Sequence, residues 1–186
     1  LEILLSERAG NESLRSTYFR ARDNGQLDQV PGMVFAKTQK DGAIESLIDT
    51  GVQRLLGDLD ELPHPVLGYR ILEPPSSQTT LARQPLPASQ VKRYSPIGAL
   101  VMTFGCKFAC PYCPIPAYNQ RQFRVKSGER IADEFRCIYD EYGIRNFFSA
   151  DDNFFNNKAR TLDIVETLAR TEIGGKPFRK RIRWGT

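Results

Sequence analysis

Three of the four cysteines of this chain lie close together, at Cys106, Cys110 and Cys113. The spacing C-x3-C-x2-C lets one loop present three thiolates to a single point. Thiolates select iron–sulfur clusters or zinc over hard cations. The residues just before the loop, 97–104, form a continuous apolar run with β-branched members, which predicts a buried parallel strand. A ligand loop at the carboxyl end of such a strand is where α/β folds place their chemistry.

This loop resembles the signature of the radical SAM superfamily, C-x3-C-x-aromatic-C, with Tyr112 in the aromatic position. The resemblance implies a 4Fe–4S cluster held by Cys106, Cys110 and Cys113, whose fourth iron binds the amino and carboxylate groups of S-adenosylmethionine. It also implies that one electron cleaves this cofactor to methionine and a 5′-deoxyadenosyl radical, and that Tyr112 contacts the adenine. The expected partners are a small-molecule substrate and an electron donor of flavodoxin or ferredoxin type.

The residues alone leave two other interpretations of the loop open. One is a closed zinc site in a structural or interaction module, and the other is a ferredoxin-like electron carrier. Either would need a fourth ligand, which Cys137 or His64 could supply. His64 lies between two prolines, as surface turn residues often do. Cys137 lies inside a predicted helix, where a free thiol behaves as a small apolar residue and is expected to be packed.

The composition is that of an ordinary globular protein, with 40% hydrophobic and 26% charged residues among 186. The net charge of +4 is too small to indicate nucleic acid, and the basic run 176–183 is interpreted as a solvated turn that leads into a strand. Clustered cysteines favour metal binding in a reducing compartment, so a cytoplasmic location is expected. No apolar run approaches the ~18 residues that a membrane span requires.

Three segments are predicted. Residues 1–58 contain two short polar-faced helices, the second capped at Asn11, and a hairpin with an Asp41-Gly42 turn. Seven of the twelve prolines lie between Pro63 and Pro96, which makes 59–93 a proline-rich linker. Residues 94–186 alternate as β-α-β-α-β, which implies parallel strands with right-handed crossovers. The expected fold class is α/β, and the resemblance identifies these strands as the first three of a partial (β/α) barrel of radical SAM type.

The elements of the third segment follow from periodicity and caps. The first helix is predicted between Ser127 as N-cap and Gly143 as its left-handed stop, and the second after Asn156 or Asn157. Apolar residues recur along the first helix at steps of four, three and four, which predicts one buried face. The predicted strands are 97–104, 144–150 and 181–185, and the predicted helices are 128–142 and 158–170.

The order of hairpin, Asp58–Pro63 run and cysteine loop has a second resemblance, to cobalamin-binding radical SAM proteins. In those proteins a Rossmann-like cobalamin domain precedes the radical SAM barrel. Residues 1–58 would then be the tail of that domain, and 94–186 the N-terminal half of the radical SAM domain. The cobalamin-ligating pattern Asp-x-His-x-x-Gly is absent around His64. Cobalamin is therefore implied for the parent protein only, and the isolated fragment is expected to be inactive.

A polar step follows the second predicted strand, at residues 151–153. In the radical SAM family this position carries a Gly-Gly-Glu-like motif that receives the amino group of S-adenosylmethionine. Here the motif has no glycines, and Asp152 or Asn153 remains as the acceptor. Alternatively, these residues cap the next helix. Three cations after the cysteine loop are further candidates to hold the cofactor carboxylate or an anionic substrate: Arg121, Arg124 and Lys126. The alternative is that these cations belong to a solvated loop.

Overall fold

The computed structural model describes residues 4, 6, 8–10, 12–39, 42–72 and 85–186. The chain divides into two compact units, Leu1–Leu55 and Leu56–Thr186. Among the described residues, no helix is long and apolar enough to cross a membrane. Several predicted features lie outside the described residues: the helix positions Leu1 and Leu5, the cap Asn11, the turn residue Asp41 and the adjacent prolines Pro74 and Pro75.

The first unit is a helix followed by a hairpin. Helix α1 (Leu14–Asp23) begins after Ser13, whose side chain accepts a hydrogen bond from the Ser16 amide. Strands β1 (Val34–Thr38) and β2 (Ile44–Asp49) pair antiparallel, which confirms the predicted hairpin. The small core of this unit contains three buried residues, Ala21, Leu27 and Phe35. Most of strand β2 is exposed, so this unit buries little apolar surface by itself.

The second unit begins within the predicted linker. Two short helices, α2 (Val66–Arg70) and α3 (Ala88–Tyr94), flank the part of the linker that is not described. Val66, Leu86 and Val91 from these regions are buried in the main hydrophobic core. The described part of 59–93 therefore belongs to the second unit, because apolar side chains between the prolines are buried in its core.

A three-stranded parallel sheet in the order β3-β6-β9 organises the second unit. Two small antiparallel pairs, β4 with β5 and β7 with β8, lie outside this sheet. The sheet is open, and the mixed α/β class is confirmed. The elements in chain order are β3 (Ile97–Leu100), β4 (Thr103–Phe104), α4 (Ile115–Tyr118), β5 (Arg124–Val125), α5 (Gly128–Tyr142), β6 (Asn146–Ser149), α6 (Lys158–Arg170), β7 (Glu172–Ile173), β8 (Lys176–Pro177), α7 (Phe178–Arg181) and β9 (Arg183–Gly185).

The two long helices match the predicted ones. Helix α5 is capped by the Ser127 side chain, which accepts from the Arg130 amide, and ends at Gly143 with φ 65°. The predicted apolar stripe is buried. At its centre, the ring centre of Phe135 lies 4.8 Å from that of Phe147 in β6. Helix α6 begins after Asn157, whose side chain accepts from the Arg160 amide. Local caps and periodicity therefore determined both helices.

The first predicted strand, 97–104, was wrong as a continuous element. It breaks between Leu100 and Thr103 into β3 and β4. The amides of Met102 and Thr103 turn away from the sheet and donate to Oδ1 of Asp151 at 2.8 and 2.6 Å. The chain then pairs with β5 instead of β6. A side chain distant in sequence therefore redirects the backbone just before the cysteine loop.

Candidate metal centre

The cysteine loop leaves the sheet at the carboxyl end of its parallel strands. Cys106 lies two residues after β4, and all three loop cysteines are free thiols. Cys106 and Cys113 are half-buried and Cys110 is exposed. The Cys113 amide donates to the Cys110 carbonyl at 3.1 Å, so a tight turn holds the second and third thiols. Three thiols thus project from one loop at the edge where α/β folds bind ligands.

The entry to the loop is fixed at Gly105. Its φ is 87°, and a Cβ added there would lie 1.9 Å from the Gln122 carbonyl oxygen, so glycine is required for both reasons. The Gly105 amide donates to Oδ2 of Asp152 at 2.7 Å. Its carbonyl accepts from Nδ2 of buried Asn156 at 3.5 Å. The amide and the carbonyl of Gly105 are therefore both held by residues that follow strand β6.

Asp152 joins the loop entry to the helix after the loop. Its Oδ1 accepts from the Tyr118 hydroxyl and its Oδ2 from Nδ2 of Asn119, both at 3.3 Å. Desolvation, together with the negative charge of Asp152, raises the pKa of Tyr118. Sequence reasoning missed Tyr118 and Asn119. Neither stands in a pattern that indicates a contact with Asp152, which lies 34 and 33 residues further along the chain.

Asp151 likewise holds the backbone that leads to the cysteines, at Met102 and Thr103, just before Gly105. Besides two backbone amides, its Oδ1 accepts from the Thr103 hydroxyl at 3.1 Å. Its Oδ2 accepts from the hydroxyls of Ser149 and Thr186. The two adjacent aspartates thus hold two successive parts of the approach to the cysteines.

Asn153 lies next to the first cysteine, since its Nδ2 donates to Sγ of Cys106 at 3.9 Å. The structure therefore brings Asp152 and Asn153 to the cysteine loop. Asn157, rather than either of them, caps helix α6 with its side chain. Their role toward the amino group of S-adenosylmethionine stays a prediction, as does the contact of Tyr112 with the adenine. The Tyr112 side chain is 88% exposed.

A cavity of about 260 Å³ opens beside Cys110 and Cys113, and Arg121 lines it. Arg121 adopts a left-handed backbone with φ 57°. The other two candidate cations contact protein groups. Arg124 donates to the Leu56 carbonyl at 2.7 Å and to Oδ1 of Asn119 at 3.0 Å. Lys126 is buried and is described below, so Arg121 is the candidate of the three that faces this cavity.

Lys126 forms a buried ion pair away from the cavity. Its Nζ donates to both carboxylate oxygens of Glu134, at 2.7 and 2.9 Å. Arg130 adds a third bond, from Nε to Oε1 of Glu134 at 2.9 Å. The Glu134 side chain is fully buried and that of Lys126 is 6% exposed. The expectation that Lys126 could hold a cofactor carboxylate was therefore wrong, because its ammonium group already pairs with Glu134.

The two alternative fourth ligands lie together, in a different group. Ligand atoms of His64, Asp133 and Cys137 all lie within 4.8 Å of one another, and none of the loop cysteines belongs to this group. Nδ1 of His64 accepts from the Val66 amide at 3.1 Å. Burial, reinforced by Asp133, raises the pKa of the Cys137 thiol. Cys137 also packs against the main core, which confirms the predicted packed thiol.

Several known proteins are similar to this chain in sequence, although no protein-family model matches it. The chain is 35% identical over 69 residues to an uncharacterised methyltransferase, PH0819, of Pyrococcus horikoshii, covering 37% of this chain and 15% of that protein. It is 29% identical over 169 residues to the hopanoid C-3 methylase of Methylococcus capsulatus, covering 85% of this chain and 31% of that protein.

Several solved structures share the fold, and two of them serve as examples. One is OxsB, a cobalamin-dependent S-adenosylmethionine radical enzyme, with a TM-score of 0.57, 19% identity and coverage of 95% of this chain and 21% of that one. The other is TsrM of Kitasatospora setae, a radical S-adenosylmethionine methyltransferase, with a TM-score of 0.54, 14% identity and coverage of 92% and 30%. The predicted resemblance to radical SAM proteins is confirmed at the level of the fold. The chain spans less than a third of the length of each of these four proteins.

Proposed function

We propose that this chain is the cluster-binding part of an iron–sulfur enzyme that reductively cleaves S-adenosylmethionine. The observation that carries the proposal is a loop of three free thiols, anchored at the carboxyl end of a parallel sheet through Gly105 and Asp152. The donor set fits a 4Fe–4S cluster with one open iron, because three thiolates leave one position for another ligand. A cavity beside Cys110 and Cys113 offers space for such a ligand.

The residues of the loop divide the work. Cys106, Cys110 and Cys113 would hold the cluster, which when bound supplies the electron that cleaves the cofactor to a 5′-deoxyadenosyl radical. The Nδ2 donor of Asn153 would stabilise negative charge on the Cys106 sulfur. Arg121 would pair with the carboxylate of S-adenosylmethionine, since guanidinium groups bind carboxylates in a fork.

Asp152 keeps one acceptor position for the amino group of S-adenosylmethionine. A carboxylate offers about four lone-pair sites. Three are used, by the Gly105 amide, the Tyr118 hydroxyl and the Asn119 amide. An ammonium group that approached Oδ1 would complete the set. Asp152 would then act both as the anchor of the loop and as a cofactor contact, with Asn153 as the adjacent alternative.

For the whole protein we propose radical methyl transfer to a small molecule, since the relatives include a methylase and a methyltransferase by name. The three parallel strands would be the first part of a partial (β/α) barrel, preceded by the tail of a cobalamin-binding domain in residues 1–58. No residue of this chain is assigned to cobalamin, because its ligating motif is absent. A flavodoxin- or ferredoxin-type protein would supply electrons.

The test removes one thiol at a time from the full-length protein. After anaerobic reconstitution, Cys106→Ala, Cys110→Ala and Cys113→Ala should each lose iron, acid-labile sulfide and the visible absorption of a 4Fe–4S cluster. They should also lose cleavage of S-adenosylmethionine. The matched control, Cys137→Ala, should retain all four signals. Zinc without iron in the wild type would instead support a structural module, and a cluster whose spectrum ignores added S-adenosylmethionine would support an electron carrier.

A further inference from the structure

A second concentration of charge lies at the amino ends of β6 and β9. Since β3, β6 and β9 run parallel, this is the end of the sheet opposite to the cysteine loop. Arg145 directly precedes β6, and Arg183 is the first residue of β9. The Arg183 amide donates to the Arg145 carbonyl at 2.8 Å, which fixes the two backbones side by side. Together with Arg179, Lys180 and Arg181 of helix α7, they line a cleft of about 400 Å³.

Among the described residues, these five cations have no acidic partner. Within the described part of the chain, none of them lies within 4.0 Å of a carboxylate oxygen. Elsewhere in the same unit, Arg70, Arg130 and Lys126 each pair with a glutamate. The cleft therefore concentrates positive charge that no carboxylate of the described residues pairs with.

Two of the guanidinium groups are held in place against their mutual repulsion. The Arg145 and Arg181 guanidinium carbons lie 5.9 and 5.8 Å from the centre of the same ring, that of Tyr139. Nη2 of Arg181 donates to the Gly174 carbonyl at 3.3 Å. Nε of Arg181 is buried and has no hydrogen-bond acceptor among the described residues. A buried donor without an acceptor is destabilising.

We propose that this cleft binds a small molecule that carries a phosphate or diphosphate group. Arginine forks bind phosphate oxygens in pairs, and several cations around one cleft suit a ligand with more than one negative charge. The cleft volume falls within the range of small-molecule sites, about 300–1,000 Å³. The concave shape favours a small ligand over a flat macromolecular surface. Its position at the far end of the strands makes the ligand an effector or an anchoring group, not the reacting substrate.

The test measures phosphate binding directly on the full-length protein. Pyrophosphate and ATP are titrated by calorimetry at constant ionic strength, and each should bind saturably with one site per chain. Arg183→Gln and Arg181→Gln should each raise the dissociation constant by about tenfold, as expected for a lost charge-assisted contact. Arg54→Gln, an identical change on an exposed residue of the other unit, should leave the dissociation constant unchanged.

Because Arg181 is half-buried, its replacement could unfold the protein, so thermal melting is recorded for each variant. Arg183 is exposed, so Arg183→Gln still tests the proposal if Arg181→Gln does not fold. Absence of saturable binding of both probes to the wild type would overturn the proposal. Equal binding by wild type and Arg183→Gln would do the same. Tight, strongly salt-dependent binding of an RNA oligonucleotide, without binding of pyrophosphate, would assign the basic surface to nucleic acid instead. Iron content and S-adenosylmethionine cleavage are independent of all these outcomes.

Discussion

The charged side chains at the two ends of the parallel sheet differ in their partners. At the carboxyl end, Asp151 and Asp152 accept hydrogen bonds from the backbone and side chains that surround the cysteine loop. At the amino end, Arg145, Arg181 and Arg183 face a cleft without a carboxylate within 4.0 Å in the described structure. Charge at the first end therefore fixes the architecture of a site, whereas charge at the second end is left for a ligand. Four predictions test this contrast, from the largest expected effect to the smallest.

The largest effect is expected from the buried ion pair between Lys126 and Glu134. Glu134→Leu removes the carboxylate that both Lys126 and Arg130 contact, and leaves the Lys126 ammonium buried without a partner. The free energy of unfolding, measured in urea, should fall by about 3–5 kcal/mol. The double variant Lys126→Met/Glu134→Leu removes both charges and should recover most of that loss. A double variant as unstable as the single one would show that packing, not charge, dominates.

The second prediction concerns the break in the first strand. Asp151→Ala leaves the amides of Met102 and Thr103 without their acceptor, and both residues are buried. The free energy of unfolding should fall by about 3 kcal/mol, and exchange of these two amides with solvent should accelerate. Asp163→Ala, at an exposed aspartate on helix α6, should change stability by less than about 0.5 kcal/mol. Equal stability of the two variants would mean that Asp151 does not hold the strand break.

The third prediction separates anchoring from ligation. Asp152→Asn keeps the size of the side chain. It replaces the carboxylate that accepts hydrogen bonds from Gly105, Tyr118 and Asn119 by a neutral amide. Unfolding should cost about 1.5–2 kcal/mol less than in the wild type. Iron bound after anaerobic reconstitution should fall only in part, because Asp152 is not a cluster ligand. Iron content as low as that of Cys106→Ala would contradict the anchoring role.

The smallest effect is expected from an exposed ion pair near the amino end. Arg70 donates to both carboxylate oxygens of Glu141, at 3.1 and 2.9 Å, and lowers the pKa of that carboxyl. The pair therefore stabilises the fold at neutral pH, and its contribution is lost as pH falls through the folded pKa of Glu141. Arg70→Gln should lower the melting temperature by on the order of 1 °C at pH 7. The difference from the wild type should vanish in acid; a difference that grows in acid would exclude this origin.

The helices of the second unit show how far local sequence reaches. Ser127 and Gly143 fix the two ends of α5, and the spacing of its apolar residues fixes the face that is buried. Asn157 fixes the start of α6. Each of these signals depends on hydrogen bonds within about four residues, so each can be recognised without the rest of the fold.

The strand before the cysteines and the third strand show where local sequence fails. Residues 97–104 are mostly apolar, and no turn residue in that run marks the break between Leu100 and Thr103, where Asp151 binds the Met102 amide from 49 residues away. The third strand is shorter than predicted, because 178–181 form helix α7. Some apolar residues of the predicted linker are buried in the core, Val66 and Val91 among them. In the first and last of these cases, contacts with residues distant along the chain override the local preference.

The sequence by itself determined the chemistry of the candidate site: three thiols on one loop, an acidic step after the second strand, and helices of defined length between the strands. Ligand type and helix ends depend on neighbouring residues, so a linear pattern carries them. Only the tertiary structure decided which charges act as anchors and which remain unpaired. It placed Asp152 on Gly105, paired Lys126 with Glu134, and gathered Arg145, Arg181 and Arg183 around one cleft. Gly105 and Asp152, 47 residues apart, meet because the parallel strands β3 and β6 bring their carboxyl ends together at the same edge of the sheet.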